Sequence, residues 1–395
     1  MRNLETDLIH KGEQYNETRA ITPPIYQTAT YIAGETIDEQ LADATSTKSP
    51  FFYHRHGNPT NSQLGEILAK LEKTEDALLL ATGMAAISTA VLTCVVAGDH
   101  VIAQHAHYAA AQVFFKEFLP AYGIEVTHVD QTDIANFEAA VQKNTKLIYV
   151  ETPSNPNLEI TDLEAVAQLA RNNKIFTIVD NTFASPINQT PRDFGIDAVV
   201  HSATKYLGGH SDLTAGAICG SKEFIHQAWR KSLLLGASLS PMDSWLLLRG
   251  LKTLTLRIKQ INENALELAT WLEGQQGIKK VTYAGLPSHS QHALAKKQMH
   301  GFTGMLTIEL SGDSEQIGYS NAQTVLKQLE IFANAVSLGG VESLVTHPAS
   351  LWNSVQQREA GVKPLFPLGL LRISVGIEHI DDLKADLKQA LLSLI

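Results

Sequence analysis

Cysteine and long apolar runs are both scarce in this chain of 395 residues. The two cysteines, Cys94 and Cys219, stand in the apolar stretches "VLTCVVAG" and "AGAICGS". Two such residues give neither a disulfide framework nor the Cys/His spacing of a zinc site, so we expect two small core residues. No apolar run approaches the roughly 20 residues that are needed to cross a bilayer, and we therefore expect a globular protein without a membrane span.

Positive charge is also sparse, since 31 Lys and Arg residues stand against 41 Asp and Glu residues, for a formal charge of -10. No dense Lys/Arg cluster is present, which argues against nucleic acid as a partner. The first residues, "MRNLETDLIHKGEQ", are polar and acidic, unlike a secretory signal or a basic transit peptide. We therefore expect a cytoplasmic enzyme.

Length and patterning predict three consecutive regions. Residues 1–57 are rich in Thr, Pro and isolated aromatics without a sustained period, which is typical of an extended arm that needs a partner surface. Residues 58–256 alternate helical patterns with short apolar runs, which predicts an α/β domain with a mostly parallel sheet covered on both faces. Residues 257–395 mix strand and helix patterns, which predicts a smaller α+β domain.

The predicted strands are short, as in buried sheets. Those of the large domain are "DALLLAT", "HVIAQH", "IEVTHV", "KLIYVE", "FTIVDN", "DAVVHS" and "AGAICG". Those of the small domain are "KKVTYAG", "GMLTIEL", "IFANAVSL" and "LLRISVGIE". Helical patterns cover residues 245–273, 321–329 and 380–392.

Polar residues without a packing purpose follow several of these runs, where the carboxyl ends of parallel strands form ligand sites. Thr82 and Gly83 end one run and open a helix, whose free N–H groups favour a phosphate. The other ends carry Asn155, Asp180, Ser202, Thr204 and Lys205.

Each of these residues also has an ordinary interpretation: a helix cap at Thr82, a turn residue at Asp180 and a surface lysine at Lys205. Together they provide an amine, a carboxylate and a phosphate cradle. Pyridoxal 5'-phosphate requires these three groups, because it forms a Schiff base with an amine and needs an acid beside its ring nitrogen. We therefore expect a site for this cofactor and no metal site.

Seven motifs carry a more specific resemblance: "FFYHRHGNPT", "ATGMAA", "ETPSNP", "VDNTFASP", "VVHSATKYLGGHSD", "AVSLGGVESLVTHPAS" and "LLRISVGIE". They are similar to motifs of the Cys/Met-metabolism (trans-sulfuration) family of PLP-dependent enzymes, in family order over nearly the whole chain. That family includes methionine γ-lyase, cystathionine γ- and β-lyases, cystathionine γ-synthase and the O-acylhomoserine sulfhydrylases. The resemblance implies the type I fold of PLP-dependent transferases, with a seven-stranded sheet in the large domain.

The resemblance also implies roles for single residues. Lys205 would carry the cofactor as a Schiff base, Asp180 would pair with the ring nitrogen and Tyr108 would stack on the ring. The implied phosphate ligands are Gly83, Met84, Ser202 and Thr204, with Tyr53 and Arg55 from the arm of the neighbouring subunit. The implied substrate-binding residues are Asn155, Ser337 and Arg372. The resemblance also implies a homotetramer built from two dimers that share such sites.

The implied reaction is α,γ-elimination, and also α,β-elimination, of sulfur-containing amino acids to an α-keto acid, ammonia and a thiol. Lys205 would be the base, which requires a pKa well below its ordinary ~10.4. Tyr108 would protonate the leaving sulfur, or would only stack on the ring. The alternatives are γ-replacement on an O-acylated homoserine and a non-catalytic cofactor-binding protein that keeps the scaffold.

Three departures from the family pattern bear on specificity. The run "YAAA" at residues 108–111 places Ala110 where methionine γ-lyases have a cysteine. Val336 precedes the serine of "SLGG" where cystathionine-processing members have a glutamate, which favours small apolar thioethers. Leu351, Trp352 and Asn353 replace the usual Met/Thr-Thr-His, and there a tryptophan would either narrow the entrance or change the packing of the small domain.

Overall fold

The structure, a computed structural model, describes residues 3–12, 14, 16, 18–352 and 366–394. Two short helices interrupt the predicted extended arm, α1 (Leu4–His10) and α2 (Ile37–Thr45). A capping box accounts for α2, because the side chains and main chains of Thr36 and Glu39 hydrogen-bond reciprocally. Between the two helices the arm is irregular, and Ile21 and Ile32 are 97% and 100% exposed. The contact of this arm with a neighbouring subunit stays a prediction.

The large sheet has seven strands in the order β1-β7-β6-β5-β4-β2-β3. Strand β7 runs antiparallel to β1 and β6, and the other neighbouring pairs are parallel, so the predicted sheet is confirmed. Each of the seven apolar runs forms a strand, and all of them except the edge strand β3 are largely buried. The strands are β1 (Asp76–Leu80), β2 (His100–Gln104), β3 (Glu125–Val129), β4 (Thr145–Glu151), β5 (Phe176–Asp180), β6 (Ala198–Ser202) and β7 (Gly216–Gly220).

Helices cover both faces of this sheet. They are α3 (Pro59–Leu71), α4 (Gly83–Cys94), α5 (Ala109–Val113), α6 (Leu119–Ala121), α7 (Ile134–Ala140), α8 (Leu163–Asn173), α9 (Ser185–Asn188), α10 (Lys222–Leu235), α11 (Pro241–Leu251) and α12 (Leu254–Leu272). A π-helical turn, Phe114–Phe118, joins α5 to α6. Helices α4 and α10 pack on one face and α3, α7, α8, α11 and α12 on the other, so successive strand residues such as Val199 and Val200 enter different cores.

The small domain is built on a five-stranded sheet of order β10-β11-β12-β9-β8. Its strands are β8 (Ile278–Thr282), β9 (Met305–Leu310), β10 (Ala333–Asn334), β11 (Leu344–Thr346) and β12 (Leu370–Ser374). Its helices are α13 (His292–Gln298), α14 (Glu315–Gln328), α15 (Pro348–Trp352) and α16 (Ile380–Leu392). The predicted α+β character is confirmed, although β11 was not predicted and β10 is only two residues long.

The long helical pattern of residues 245–273 is broken at Lys252 and Thr253, which cap α11 and α12. Both cysteines are free thiols, and Cys219 is fully buried in the large-domain core. Within the described ranges, no helix combines the length and apolar character needed to span a membrane.

Candidate active site

Three neighbouring parallel strands of the large sheet have polar residues at their carboxyl ends. Strand β4 ends at Glu151, β5 at Asp180 and β6 at Ser202. In the register of the sheet, Glu151 lies beside Asp180, and Asp180 lies beside Val200. Because Tyr149 and Val200 belong to the core under α4, the alternation of side chains directs both carboxyl groups to that same face.

Lys205 lies three residues beyond the end of β6. Its Nζ donates a hydrogen bond of 2.7 Å to Oγ of Ser337. Burial and the positive charge of Arg372 lower the pKa of Lys205 to about 8. A larger fraction of this amine is therefore neutral near pH 7 than in an exposed lysine, which a nucleophile or general base requires.

The small domain supplies the other wall around this amine. Arg372 lies on β12 and is 5% exposed; its Nη1 donates to Oδ1 of Asn155 at 3.0 Å and its Nη2 to the Ser337 carbonyl at 3.1 Å. Burial lowers the pKa of Arg372 to about 10, which still leaves it charged at neutral pH. The structure thus brings together four residues predicted from separate motifs.

Ser337 has a strained main chain, with a φ of 91° that non-glycine residues rarely adopt. Such a conformation costs on the order of 1 to 3 kcal/mol and persists only where the surrounding structure enforces it. Here the Ser337 carbonyl accepts from Arg372 while its hydroxyl accepts from Lys205. The strained residue therefore links the guanidinium of Arg372 to the amine of Lys205.

Asp180 is buried and accepts hydrogen bonds from neutral groups. Thr182 donates both its main-chain N–H, at 3.0 Å, and its hydroxyl to Oδ1, and the Tyr149 hydroxyl donates to Oδ2 at 3.3 Å. Burial raises the pKa of Asp180, while the Thr182 hydrogen bonds and the charge of His201 act in the opposite direction. A buried carboxylate in these surroundings favours a cation opposite it.

The start of α4 lies against the end of β6. The Thr82 hydroxyl accepts from the N–H of Ala85 at 3.0 Å, and helix geometry leaves the N–H groups of Gly83 and Met84 without an intrahelical acceptor. A Cβ added to Gly83 would lie 2.7 Å from Cβ of Ser202. Only glycine therefore allows this helix start to approach Ser202 so closely.

Thr204 hydrogen-bonds within its own loop. Its Oγ1 accepts from the N–H of Ala215 at 3.0 Å and donates to the carbonyl of Ala215 at 3.3 Å. Thr182 makes a similar bridge one strand away, since its Oγ1 accepts from the Ser202 N–H at 2.8 Å. These contacts fix the loops that carry the predicted phosphate ligands.

Tyr108 is connected to the carboxyl edge of the sheet through Glu151, a residue that sequence analysis missed. The N–H of Tyr108 donates to Oε2 of Glu151 at 2.8 Å, and Tyr108 is 45% exposed.

Tyr149 and Thr182, which hydrogen-bond to Asp180, were missed as well. The sequence signals were present, because Glu151 ends the run "KLIYVE" and Thr182 follows Asp180 by two residues.

Tyr53 and Arg55 are not brought to the other site residues within one chain. Nη1 of Arg55 donates to the Leu233 carbonyl at 2.8 Å, and its guanidinium lies 5.7 Å from the centre of the Tyr53 ring. Among the described residues, neither hydrogen-bonds to Lys205 or Asp180. The two are exposed on the arm, and their role at a neighbouring subunit's site stays a prediction.

Two of the departures from the family pattern lie near this site. Val336 precedes Ser337 and is 64% exposed, and Ala110 lies two residues after Tyr108, inside α5. Of the third departure, Leu351 lies in α15, whereas Asn353 is outside the described residues. The effect expected there stays a prediction.

The groups present fit pyridoxal 5'-phosphate. Asp180 is a buried carboxyl group that has no hydrogen-bonded cation among the residues described, and Lys205 is an amine with a lowered pKa. Two free N–H groups open α4 beside the hydroxyl of Ser202. These are the partners that a ring nitrogen, an aldehyde and a phosphate need.

Comparison with known proteins gives matches along the whole chain. A family model described as "Cys/Met metabolism PLP-dependent enzyme" matches residues 5–392. The chain is 39% identical over 391 residues to L-methionine gamma-lyase of Fusobacterium nucleatum subsp. polymorphum, covering 98% of each protein. It is 40% identical over 395 residues to the chloroplastic cystathionine gamma-synthase 1 of Arabidopsis thaliana, covering 97% of this chain and 68% of that protein.

A solved structure is similar as well. The crystal structure of cystathionine gamma-lyase from Lactobacillus plantarum, complexed with L-serine, superposes with a TM-score of 0.89 at 36% identity. The similarity covers 100% of this chain and 99% of that one. The arm, the large sheet and the small domain therefore all fall within the similar region.

Proposed function

We propose that this chain, which belongs to the Cys/Met metabolism family of PLP-dependent enzymes, is a carbon–sulfur lyase acting on small sulfur-containing amino acids. It performs α,γ-elimination, and α,β-elimination of shorter substrates, to an α-keto acid, ammonia and a thiol. The observation that carries the proposal is the Lys205 amine, held by Ser337 next to Arg372 at the carboxyl edge of the sheet. The similarity to L-methionine gamma-lyase supports elimination as the reaction type.

Pyridoxal 5'-phosphate, when bound, supplies an aldehyde for the amine of Lys205 and a ring that accepts the electron pair left by a departing Cα proton. Asp180 would keep the ring nitrogen protonated. The N–H groups of Gly83 and Met84 and the hydroxyls of Ser202 and Thr204 would hold the phosphate, and the Tyr108 side chain would stack on the ring.

Arg372 binds the α-carboxylate of the substrate, because its planar fork is fixed by Asn155 and by the Ser337 carbonyl. Lys205 would then take the proton from Cα, give it up again within the site and, as a free amine, take a proton from Cβ, so that the γ-substituent can leave. Tyr108 donates its phenolic proton to the departing sulfur. The Ser337 hydroxyl orients Nζ of Lys205 for these transfers.

The second candidate function is γ-replacement on an O-acylated homoserine. It is favoured by the 40% identity to a cystathionine gamma-synthase. Val336 argues for elimination, because an exposed apolar side chain beside Ser337 suits a small thioether better than a second charged amino acid. A non-catalytic role is the third candidate function, and it would leave the lowered pKa of Lys205 without a catalytic purpose.

Incubation with single substrates separates these functions. We expect the purified protein to release an α-keto acid from methionine or homocysteine without any added thiol. Cystathionine and O-acetylhomoserine, each with and without a thiol, are the comparison substrates, and Lys205→Ala is the inactive control. Product formed only from O-acetylhomoserine plus a thiol would replace elimination by γ-replacement, and no product from any of them would favour the non-catalytic role.

We also propose a cytoplasmic homotetramer in which Tyr53 and Arg55 complete the phosphate site of the neighbouring subunit. Arg55→Ala and Lys205→Ala variants should each have little activity. After unfolding and refolding together in equal amounts, they should recover about a quarter of wild-type activity, because half of the dimers are mixed and each mixed dimer holds one intact site.

A matched control for this mixing experiment uses two residues of the same chain's site. Lys205→Ala mixed with Asp180→Ala should recover nothing, because neither site of a mixed dimer is then intact. If the Arg55 and Lys205 mixture is no more active than the mean of its parents, each site is complete within one chain.

A further inference from the structure

Glu151 is a buried acid beside another buried acid. It is 2% exposed and Asp180 is 4% exposed, and the two are register partners on neighbouring parallel strands. Such strands lie about 4.8 Å apart, and both side chains point to the face under α4. Two ionised carboxylates at this separation in a dry environment would repel each other strongly, so one of them is expected to hold a proton.

The groups that face Glu151 come from four elements. The main-chain N–H of Tyr108, just before α5, donates to Oε2 at 2.8 Å. Arg372 of β12 adds a positive charge, Asp180 of β5 a negative one, and the main-chain N–H of Asn155, just after β4, also faces the carboxyl group. Burial, followed by the charge of Asp180, raises the pKa of Glu151 well above its usual range despite the other groups.

The sparse hydrogen bonds of Glu151 argue against an ionised carboxylate. Its Oε1 is buried without a hydrogen-bond partner in the part of the chain that the structure describes. An ionised carboxylate offers about four acceptor positions and normally fills several of them when buried. Gln104 fixes the main chain of Glu151 from both sides, with hydrogen bonds of 2.7 and 2.9 Å, so the side chain is held in place.

We propose that Glu151 carries a proton in the working enzyme and acts as the positioning residue for Tyr108, which leaves Asp180 as the single negative charge at the ring nitrogen. Through Oε2, Glu151 holds the residue that begins α5, and it thereby sets where the Tyr108 ring and hydroxyl stand. The positioning part rests on the proposed function, because it matters only if Tyr108 acts next to the cofactor and substrate. The protonation part holds for the chain alone.

The sign of the pH dependence follows from the raised pKa of Glu151. The acid is protonated in the folded chain at pH values where it is ionised in the unfolded chain, so stability is lost as the pH rises above the unfolded pKa of about 4.3. Glu151→Gln removes this loss while keeping an oxygen that accepts from Tyr108. Its advantage over the wild type should therefore grow between pH 5 and pH 8.

The first experiment uses cofactor-free protein and measures melting temperature against pH. Relative to the wild type, Glu151→Gln should gain up to about 1.5 °C per pH unit, or up to about 4.5 °C between pH 5 and pH 8, for a chain of this size. Glu75→Gln is the matched control, because Glu75 also accepts a main-chain N–H, that of Lys222 at 3.0 Å, but is exposed. It should show no such trend.

The second experiment measures the kinetics of the loaded enzyme. Glu151→Ala leaves the Tyr108 N–H without its acceptor and should lower kcat at least tenfold with little change in KM, whereas Glu151→Gln should restore kcat to within about threefold of wild type. An infrared carbonyl band of a protonated acid that is present in the wild type and absent in Glu151→Gln would show directly that Glu151 is protonated.

The outcomes are distinct. If kcat of Glu151→Gln is as low as that of Glu151→Ala, a neutral Glu151 does not position Tyr108. If the stability gain of Glu151→Gln does not rise with pH beyond that of Glu75→Gln, Glu151 is not protonated in the folded chain. If the wild type cleaves no thioether while the pH trend and the infrared band are present, the proposed function fails but the protonation of Glu151 stands.

Discussion

The Lys205→Ala variant is expected to lose about 10⁴-fold in kcat, the upper end of what a positioned acid–base group contributes. The expected loss is large because, in the proposed mechanism, this one amine both links to the cofactor and moves the Cα proton. Its chemistry depends on its surroundings: burial and the charge of Arg372 lower its pKa to about 8, and Ser337 holds it at 2.7 Å. Alanine removes the nitrogen and leaves nothing in its place.

Borohydride reduction and peptide mapping measure the covalent link directly. In the wild type the reduced cofactor should be found on Lys205, and in Lys205→Ala on no peptide. Lys48→Ala is the matched control, because Lys48 is also partly buried but pairs with Asp76 at the amino-terminal edge of the sheet. Its kcat should stay within about twofold of wild type. A reduced cofactor on any other lysine would overturn the assignment of Lys205 and the roles built on it.

The seven strands were predictable because each is a short apolar run. Much of the candidate site was predictable because polar residues that a packed core does not need follow these runs. A run such as "FTIVDN" shows a strand that is buried on both faces and then delivers a carboxylate. The lysine that follows "DAVVHSAT" is similarly out of place in a core. In each case a polar residue at the end of an apolar run has no packing explanation, and the family motifs then assign it a role.

Glu151 was missed although it ends its strand as Asp180 does. The difference between the two acids is tertiary, because it depends on which of them faces the Tyr108 amide and which faces the hydroxyls of Thr182 and Tyr149. A sequence cannot show which of two neighbouring buried carboxyl groups holds a proton. The strand β11 was missed because three residues are too few to show a period, and the helix α2 was missed because it buries no residue and so shows no apolar face.

The contacts around the reactive amine were also beyond the sequence. Arg372 and Asn155 are 217 residues apart and Lys205 and Ser337 are 132 apart, yet each pair is hydrogen-bonded. The predicted motifs identified these residues without showing that the small domain supplies the charge that lowers the pKa of Lys205. It follows that changes in how the two domains pack alter the reactivity of the amine as well as the binding of substrate.

The Asp180→Asn variant is expected to lower kcat about 10²- to 10³-fold, in the range of losing one preorganised electrostatic partner. Asparagine keeps an oxygen that accepts from Thr182, so the geometry is retained while the negative charge proposed to hold the ring nitrogen protonated is lost. Asp197→Asn is the matched control, because Asp197 likewise accepts from the N–H and hydroxyl of Thr177, at 2.9 and 2.8 Å, before β6 begins. It should keep kcat within about threefold.

The melting temperature of the cofactor-free chain should change in the opposite direction to activity. Burial raises the pKa of Asp180, so its contribution to the stability of the cofactor-free chain is lost as the pH rises above the unfolded pKa of about 3.9. Cofactor-free Asp180→Asn should therefore melt at or above the wild-type temperature at pH 7, while the loaded variant melts below the loaded wild type because the cation–carboxylate pair is missing. Equal kcat in Asp180→Asn and wild type would show that the charge at this position is not used. A cofactor-free variant that is less stable than wild type at pH 7 would show that the carboxylate stabilises the fold itself, as a structural residue would.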